Sequence, residues 1–315
     1  MFLDVGSARL FFDVIGESLD ASTSDMALRP TLILLHGGPG YDHSTLRPYF
    51  DRYSDTHQLI YLDHRGCGRS TGAKETWKLD QWADDIAIFC KTLGIVSPVV
   101  FGQSFGGMVA MRYAARHPTG ISKLILSSTA AQFRLVETVE MMRKLGGDQA
   151  AKIAHQFFSS PSKAAYNIYG EVCLPLYSNP SALTAGTFRD QAIERPEVAL
   201  HFFSDEMARM DMLAEISNIA CPTLVIGGAI DPVTPPICSQ AIADAIGENA
   251  QLKMFQGCGH GPHRDDPEGA ERVMRNFLAD HTPSNIVLSH GAKIIGIPGH
   301  RFLCRSTPFT LAIDY

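Results

Sequence analysis

The chain has 315 residues, with 27 Lys and Arg against 33 Asp and Glu, a formal charge of −6. Apolar residues make up 45% and charged residues 19%, which excludes a disordered or fibrous chain. The acidic balance excludes a nucleic acid or an anionic membrane as partner, because both need a clustered basic surface, and leaves a small-molecule or short-peptide substrate as the expectation.

Asp4 and the lack of a basic stretch before the first apolar run predict no secretory leader. No apolar run reaches the roughly 18 residues of a membrane span. The seven cysteines (Cys67, Cys90, Cys173, Cys221, Cys238, Cys258, Cys304) are odd in number and include no Cys-x-x-Cys pair. They predict a reducing compartment, hence the cytoplasm, with cysteine used as a small core residue.

In chain order, Leu10 to Ile15 predicts an early strand. Thr31 to Leu35 is a continuous apolar run, as a strand buried on both faces requires. Gln58 to Asp63 is a third strand. Leu79 to Leu93 carries Trp82, Ile86, Phe89 and Leu93 at helical spacing. Pro98 to Phe101 is another buried strand, Phe105 to His117 a helix, and Lys123 to Ser127 a strand. This alternation predicts βα units and an α/β fold with a mainly parallel sheet flanked by helices. Between Ala130 and Ile219 the strand signal fades. Leu135–Leu145, Ala150–Phe158 and Lys163–Leu176 have helical spacing, broken at Gly146-Gly147, Ser159-Ser160-Pro161 and Ser178-Asn179-Pro180. Strands resume at Pro222–Ile226 and Gln251–Phe255, and a last helix opens at Pro267 with Asp266 as its cap. The predicted organisation is a core in two parts, 1–129 and 220–280, a helical insertion at 130–219, and a tail at 281–315. In the tail, Ile286–Leu288 and Ile294-Ile295 fit either a hairpin or a loosely packed end.

The chemistry concentrates in three loops. Gly102-Gln103-Ser104-Phe105-Gly106-Gly107 follows a strand and opens a helix, the context of a nucleophile elbow. The glycines let the turn tighten until the Ser104 hydroxyl stands above the sheet at the positive end of a helix. A hydroxyl is a weak nucleophile and needs a base and an orienting carboxylate. Both follow in the order Ser, Asp, His: Asp231 after the strand TLVIGG, and His260 after QLKMFQ. Each sits where a strand's carboxyl end meets a loop. His263 is a rival base, but Arg264, Asp265 and Asp266 suggest that it lies at a solvated helix entry. His260 and His263 have no complete metal-ligand set around them, so neither a metal nor a cofactor is expected. The third loop, His36-Gly37-Gly38-Pro39-Gly40, follows the buried strand TLILL. Its Gly38 N–H, with the Phe105 N–H, would form an oxyanion hole.

Three motifs, HGGPG at His36–Gly40, LDHRGCGRS at Leu62–Ser70 and GQSFGG at Gly102–Gly107, together resemble the α/β-hydrolase superfamily, in particular its proline iminopeptidase-like serine peptidases. That branch typically has Gln where this chain has His64, and Gly and Trp where it has Gln103 and Phe105. The resemblance spans residues 1–280. It implies an α/β-hydrolase fold with a helical cap, a triad of Ser104, Asp231 and His260, and release of an N-terminal residue, preferably proline, from short peptides. It puts Asp63, Arg65 and Gly66 in a structural loop beneath the site, with Arg65 an ion-paired scaffold residue.

Reading a free α-amino group calls for cap carboxylates. The family's Glu-Asn-His-Tyr-Phe-like cap motif is matched only by Ala199-Leu200-His201-Phe202-Phe203, without its leading Glu. Glu197 and Glu206 lie nearby. Glu197, His201, Phe202 and Glu206 are therefore the candidate substrate-binding residues, although the two glutamates read more readily as solvated helix charges. Tyr166, Tyr169, Phe202 and Phe203 fit an apolar acyl pocket or cap-core packing. The same fold and triad serve ester, lactone and carbon–carbon bond cleavage, so those substrates stand as the alternative. A non-catalytic binding protein would not need all three triad residues.

Overall fold

The computed structural model describes residues 1–22, 24, 26–179 and 191–280; the proposed tail hairpin lies outside them. The N-terminal part runs β1 (Phe2–Asp4), β2 (Arg9–Ile15), β3 (Leu19–Asp20), β4 (Ala27–Leu28), β5 (Thr31–Leu35), β6 (Gln58–Leu62), α1 (Leu79–Leu93), β7 (Val99–Gln103), α2 (Phe105–Arg116) and β8 (Lys123–Ser127). A helical stretch follows: α3 (Leu135–Ser159), α4 (Lys163–Val172), α5 (Pro196–Ser204), α6 (Glu206–Arg209) and α7 (Leu213–Ile216). The chain returns with β9 (Thr223–Gly228), α8 (Pro236–Ile246), β10 (Ala250–Phe255), α9 (Pro262–Asp265) and α10 (Pro267–Ala279).

Among the described residues, one sheet of eight strands has the order β1-β2-β6-β5-β7-β8-β9-β10. β1, β2 and β6 pair antiparallel at one edge, and β6 through β10 pair parallel. The apolar runs explain the layers. Side chains alternate across a strand, so Ile33 and Leu35 enter one core with Trp82, Phe89 and Met111, while Leu32 and Leu34 enter the other with Phe50, Phe101, Met274 and Phe277. A parallel strand covered on both faces has no polar alternation to show. β3 and β4 are two-residue segments, and Ala27 and Leu28 are exposed. They have no buried face to impose a pattern, which is why only the longer strands are legible in the sequence.

The helical stretch between β8 and β9 kinks at a glycine and breaks at Ser160-Pro161. α3 contains Gly147 at φ 74°, outside the helical region. α4 is capped by Ser162, whose hydroxyl accepts from the Ala165 N–H. The incoming and outgoing chains are joined: Gln132 bridges Asp211, and the Met212 N–H donates to the Ala131 carbonyl at 2.9 Å. At the C-terminal end, Asp266 caps α10 through the Gly269 N–H, with Pro267 at the first helical position. No described helix is long and apolar enough to cross a membrane.

Candidate active site

β7 ends at Gln103 and α2 begins at Phe105, so Ser104 alone turns the chain. Its φ of 53° is positive, a strained state for a residue with a side chain. The surrounding glycines are required by contact. A Cβ on Gly102 would strike the Gly106 backbone, one on Gly106 the Leu35 carbonyl, and one on Gly107 the Thr129 side chain at 2.6 Å. Two bonds hold the turn: the Ser104 N–H donates to the Ser127 carbonyl at 2.9 Å, and the Thr129 hydroxyl to the Ser104 carbonyl at 2.7 Å.

The parallel sheet brings the ends of β9 and β10 to the same place. His260 Nε2 lies 2.9 Å from Ser104 Oγ, and His260 Nδ1 lies 2.8 Å from Asp231 Oδ2. Asp231 is fully buried. Its Oδ1 accepts from the Val233 and Thr234 N–H groups, both at 2.9 Å, and its Oδ2 accepts from the Thr234 hydroxyl at 2.8 Å. An ionised carboxylate only accepts, so Nδ1 of His260 is its donor and Nε2 is left to accept the Ser104 proton.

Tyr177, Gln103, Arg264 and Asp265 hold the His260 loop. The His260 N–H donates to the Tyr177 carbonyl at 2.6 Å. The His260 carbonyl accepts from Gln103 Nε2 at 3.1 Å and from Arg264 Nη2 at 2.8 Å. The Gly259 N–H donates to Asp265 Oδ2 at 2.7 Å. Burial pushes the Asp265 carboxyl above its usual range, with the Gly259 N–H acting against the shift. Gln103 occupies a variable position of the elbow motif, and the sequence signal for Thr234 is only the Asp-x-x-Thr spacing of a local turn.

The glycine loop after β5 lies against the elbow: a Cβ on Gly37 would sit 3.3 Å from Ser104 Cβ. His36 Nδ1 donates to the Gly37 carbonyl at 2.7 Å, and its Nε2 accepts the His64 N–H at 3.2 Å. Burial lowers the affinity of His36 for a second proton. Because the peptide is planar, anchoring the Gly37 carbonyl also fixes the direction of the Gly38 N–H. The Phe105 N–H is the first of α2 and has no acceptor within the helix.

Beneath this loop, the buried Arg65 guanidinium donates through Nε to Asp85 at 2.8 Å, and the Arg65 carbonyl accepts from Trp82 Nε1 at 2.9 Å. A Cβ on Gly66 would collide with the Trp77 ring. Asp63 accepts from the His43 N–H at 3.0 Å, from its Nδ1 at 2.6 Å and from the Arg69 N–H at 2.9 Å. Asp42, His43 and Asp63 converge, but the Arg69 guanidinium already occupies Asp42 at 2.8 Å and Asp63 at 3.6 Å. These hydrogen bonds and the Arg69 ion pairs make the group a scaffold for the loop.

His263 departs from expectation. It is buried, not solvated, against the rings of Tyr49 and Phe50 at 5.3 and 5.4 Å. The turn of α9 directs it into the core on the α10 side. Burial, and then the Arg264 charge, keep its pKa well below the usual value.

A cavity of about 140 Å³ opens over Ser104, His260, Gly38 and Phe105. Of the four cap candidates only Phe202 lines it, edge-on to Phe105 at 5.1 Å. The other three, expected to bind substrate, lie outside its lining. His201 donates through Nε2 to the Trp77 carbonyl at 3.1 Å. Glu206 accepts the Leu79 N–H at 2.9 Å, capping α1. Glu197 is exposed and does not line the cavity. The carboxylate in the lining is Glu194, which accepts the Tyr166 hydroxyl at 2.6 Å. It precedes α5 in a loop with no motif to mark it. Tyr166, Tyr169 and Phe203 line the cavity and also pack against Phe157.

A family model described as the alpha/beta hydrolase fold matches residues 30–267. The chain belongs to the α/β-hydrolase fold family. Within it, a proline iminopeptidase of Clostridioides difficile is 29% identical over 296 residues, covering 86% of this chain and 94% of the relative. Two solved α/β-hydrolase structures share the fold. The enol-lactonase of Burkholderia xenovorans has a TM-score of 0.70 at 19% identity, covering 89% of this chain and 100% of that one. The proline iminopeptidase of Mycobacterium smegmatis has a TM-score of 0.65 at 22% identity, covering 88% and 97%.

Proposed function

We propose that this α/β hydrolase is a serine hydrolase working through an acyl-enzyme. The observation that carries the reading is the unbroken hydrogen-bond chain Ser104–His260–Asp231 at 2.9 and 2.8 Å, set on a strained elbow. His260 Nε2 takes the Ser104 proton as Oγ bonds to the substrate carbonyl carbon. The Gly38 and Phe105 N–H groups hold the resulting oxyanion. The tetrahedral adduct collapses, the bond to the leaving group breaks, and His260 gives that group the proton. Water then repeats the sequence and releases the acid. Asp231 keeps His260 in the required tautomer and stabilises its charged form. The described helices between β8 and β9 serve as the cap that walls the acyl site.

For the substrate, we infer removal of an N-terminal residue from short peptides, proline foremost. The named peptidase relatives support this, as does Glu194, a carboxylate in the same cavity as Ser104 suited to a free α-amino group. A second reading, a small ester or lactone, is favoured by the aromatic lining, which binds an uncharged acyl group without needing an amine. A fluorophosphonate probe should label the wild type and not Ser104→Ala; equal labelling sinks the nucleophile. Turnover of Pro-aminomethylcoumarin but not of its N-acetyl form supports the peptidase reading, and turnover of p-nitrophenyl esters alone overturns it.

A further inference from the structure

A second cavity, of about 370 Å³, lies where the helical stretch leaves and rejoins the core. Phe133, Phe158, Phe203 and Met207 line both this space and the cavity over Ser104. These four side chains are therefore the partition between the two. Phe158 packs on Phe133 at 4.9 Å and on Phe203 at 5.7 Å, a chain of ring contacts. Met207 is unbranched and can change shape without moving the helix that bears it.

Beyond the partition, Leu135 and the buried Met210 add apolar wall to the second cavity, whose rim carries Gln132, Arg209 and Asp211. Its polar rim is already paired. Gln132 Nε2 donates to Asp211 at 2.8 Å, and the Arg209 guanidinium lies 2.6 Å from Asp205 and 3.8 Å from Glu206. An occupant entering past the partition meets mainly apolar side chains, with the polar groups of the rim engaged by hydrogen bonds or ion pairs.

We propose that this second cavity is an extension of the acyl site that takes an uncharged apolar arm of the substrate, its reacting carbon at Ser104. The inference rests on the serine-hydrolase reading above. It does not depend on whether the scissile bond is an amide or an ester. The first cavity alone holds a small acyl group. The partition side chains admit a longer one by rotating.

The test measures labelling of Ser104 by alkyl fluorophosphonates with an ethyl or a decyl chain, read by intact mass. Wild type should react faster with the decyl reagent. Ala208→Trp, at an exposed position lining only the second cavity, should lower the decyl-to-ethyl rate ratio by about tenfold, the effect of losing two or so buried methylenes. Met207→Ala, which thins the partition, should raise the ratio. A ratio unchanged in both variants, with labelling intact, overturns the extension while leaving the serine-hydrolase reading standing. Absence of labelling by either reagent, or labelling that survives Ser104→Ala, overturns both.

Discussion

At the residue scale, Asp231 has several tasks at once. Its Oδ1 fixes the local turn through two backbone N–H groups, while its Oδ2 meets His260 and the Thr234 hydroxyl. The Thr234 oxygen is also 3.3 Å from His260 Nδ1, so the hydroxyl and the imidazole share one carboxylate oxygen. The turn and the tautomer have separate atoms, and substitution can separate them. Asp231→Asn leaves a carbonyl oxygen for the turn but can present an N–H to His260. The imidazole then has reason to protonate at Nε2, where it cannot accept from Ser104. The expected outcome is a loss of about ten-thousand-fold in kcat, the scale known for this exchange in triad enzymes, with thermal stability close to wild type. Steady-state kinetics beside a melting curve check it. A drop in both together would mean that Asp231 acts through the fold and not through His260.

At the scale of elements, the strand–elbow–helix unit shows what was legible in the sequence and what was not. The boundaries of α1, the elbow and the Asp266 cap could be read because each follows from local chemistry: apolar spacing, glycine and a short acceptor side chain. Glu194, Gln103 and Tyr177 could not, because their roles come from contacts across the fold with residues 28, 157 and 83 positions away. The same distinction explains Glu206, which reads as a substrate ligand from its cap position but caps α1 across 127 positions. Two glycines test the local part. Gly106→Ala places a methyl against the Leu35 and His36 carbonyls, which belong to backbone that cannot yield. The expected cost is roughly 3 kcal/mol or more, in the range of severe steric and overpacking changes. Gly170 sits inside α4 with open space where a Cβ would be. Gly170→Ala should stabilise by roughly 0.5–1 kcal/mol, because alanine loses less backbone freedom in a helix. Urea unfolding of the two variants should move in opposite directions.

At the scale of the whole molecule, buried histidines tie stability to pH. His36, His57, His64 and His263 all have pKa values pushed below 6.5, with burial the first cause in each. In the unfolded chain they titrate near 6.5. Below that pH the unfolded chain binds more protons than the folded one, so stability is level above about 6.5 and falls as the solution is acidified. Each histidine contributes a slope approaching 1.4 kcal/mol per pH unit until its folded pKa is reached. Asp85 and Asp265, raised above 3.8 by burial, act in the opposite sense, since their protonation favours the folded state. A single curve therefore mixes signs, and a difference between two proteins isolates one group. His64 suits that comparison because neither of its ring nitrogens has a hydrogen-bond partner among the described residues, while its backbone N–H holds His36 whatever the side chain. His64→Gln removes one titrating ring and leaves that backbone bond. Between pH 7 and pH 5 the unfolding free energy of the variant should fall less steeply than that of wild type, by about one proton's worth. Urea midpoints at a series of pH values measure it. Parallel curves would mean that His64 takes up its proton in the folded state as readily as in the unfolded one, and that burial against Phe105 and His36 does not exclude the charge.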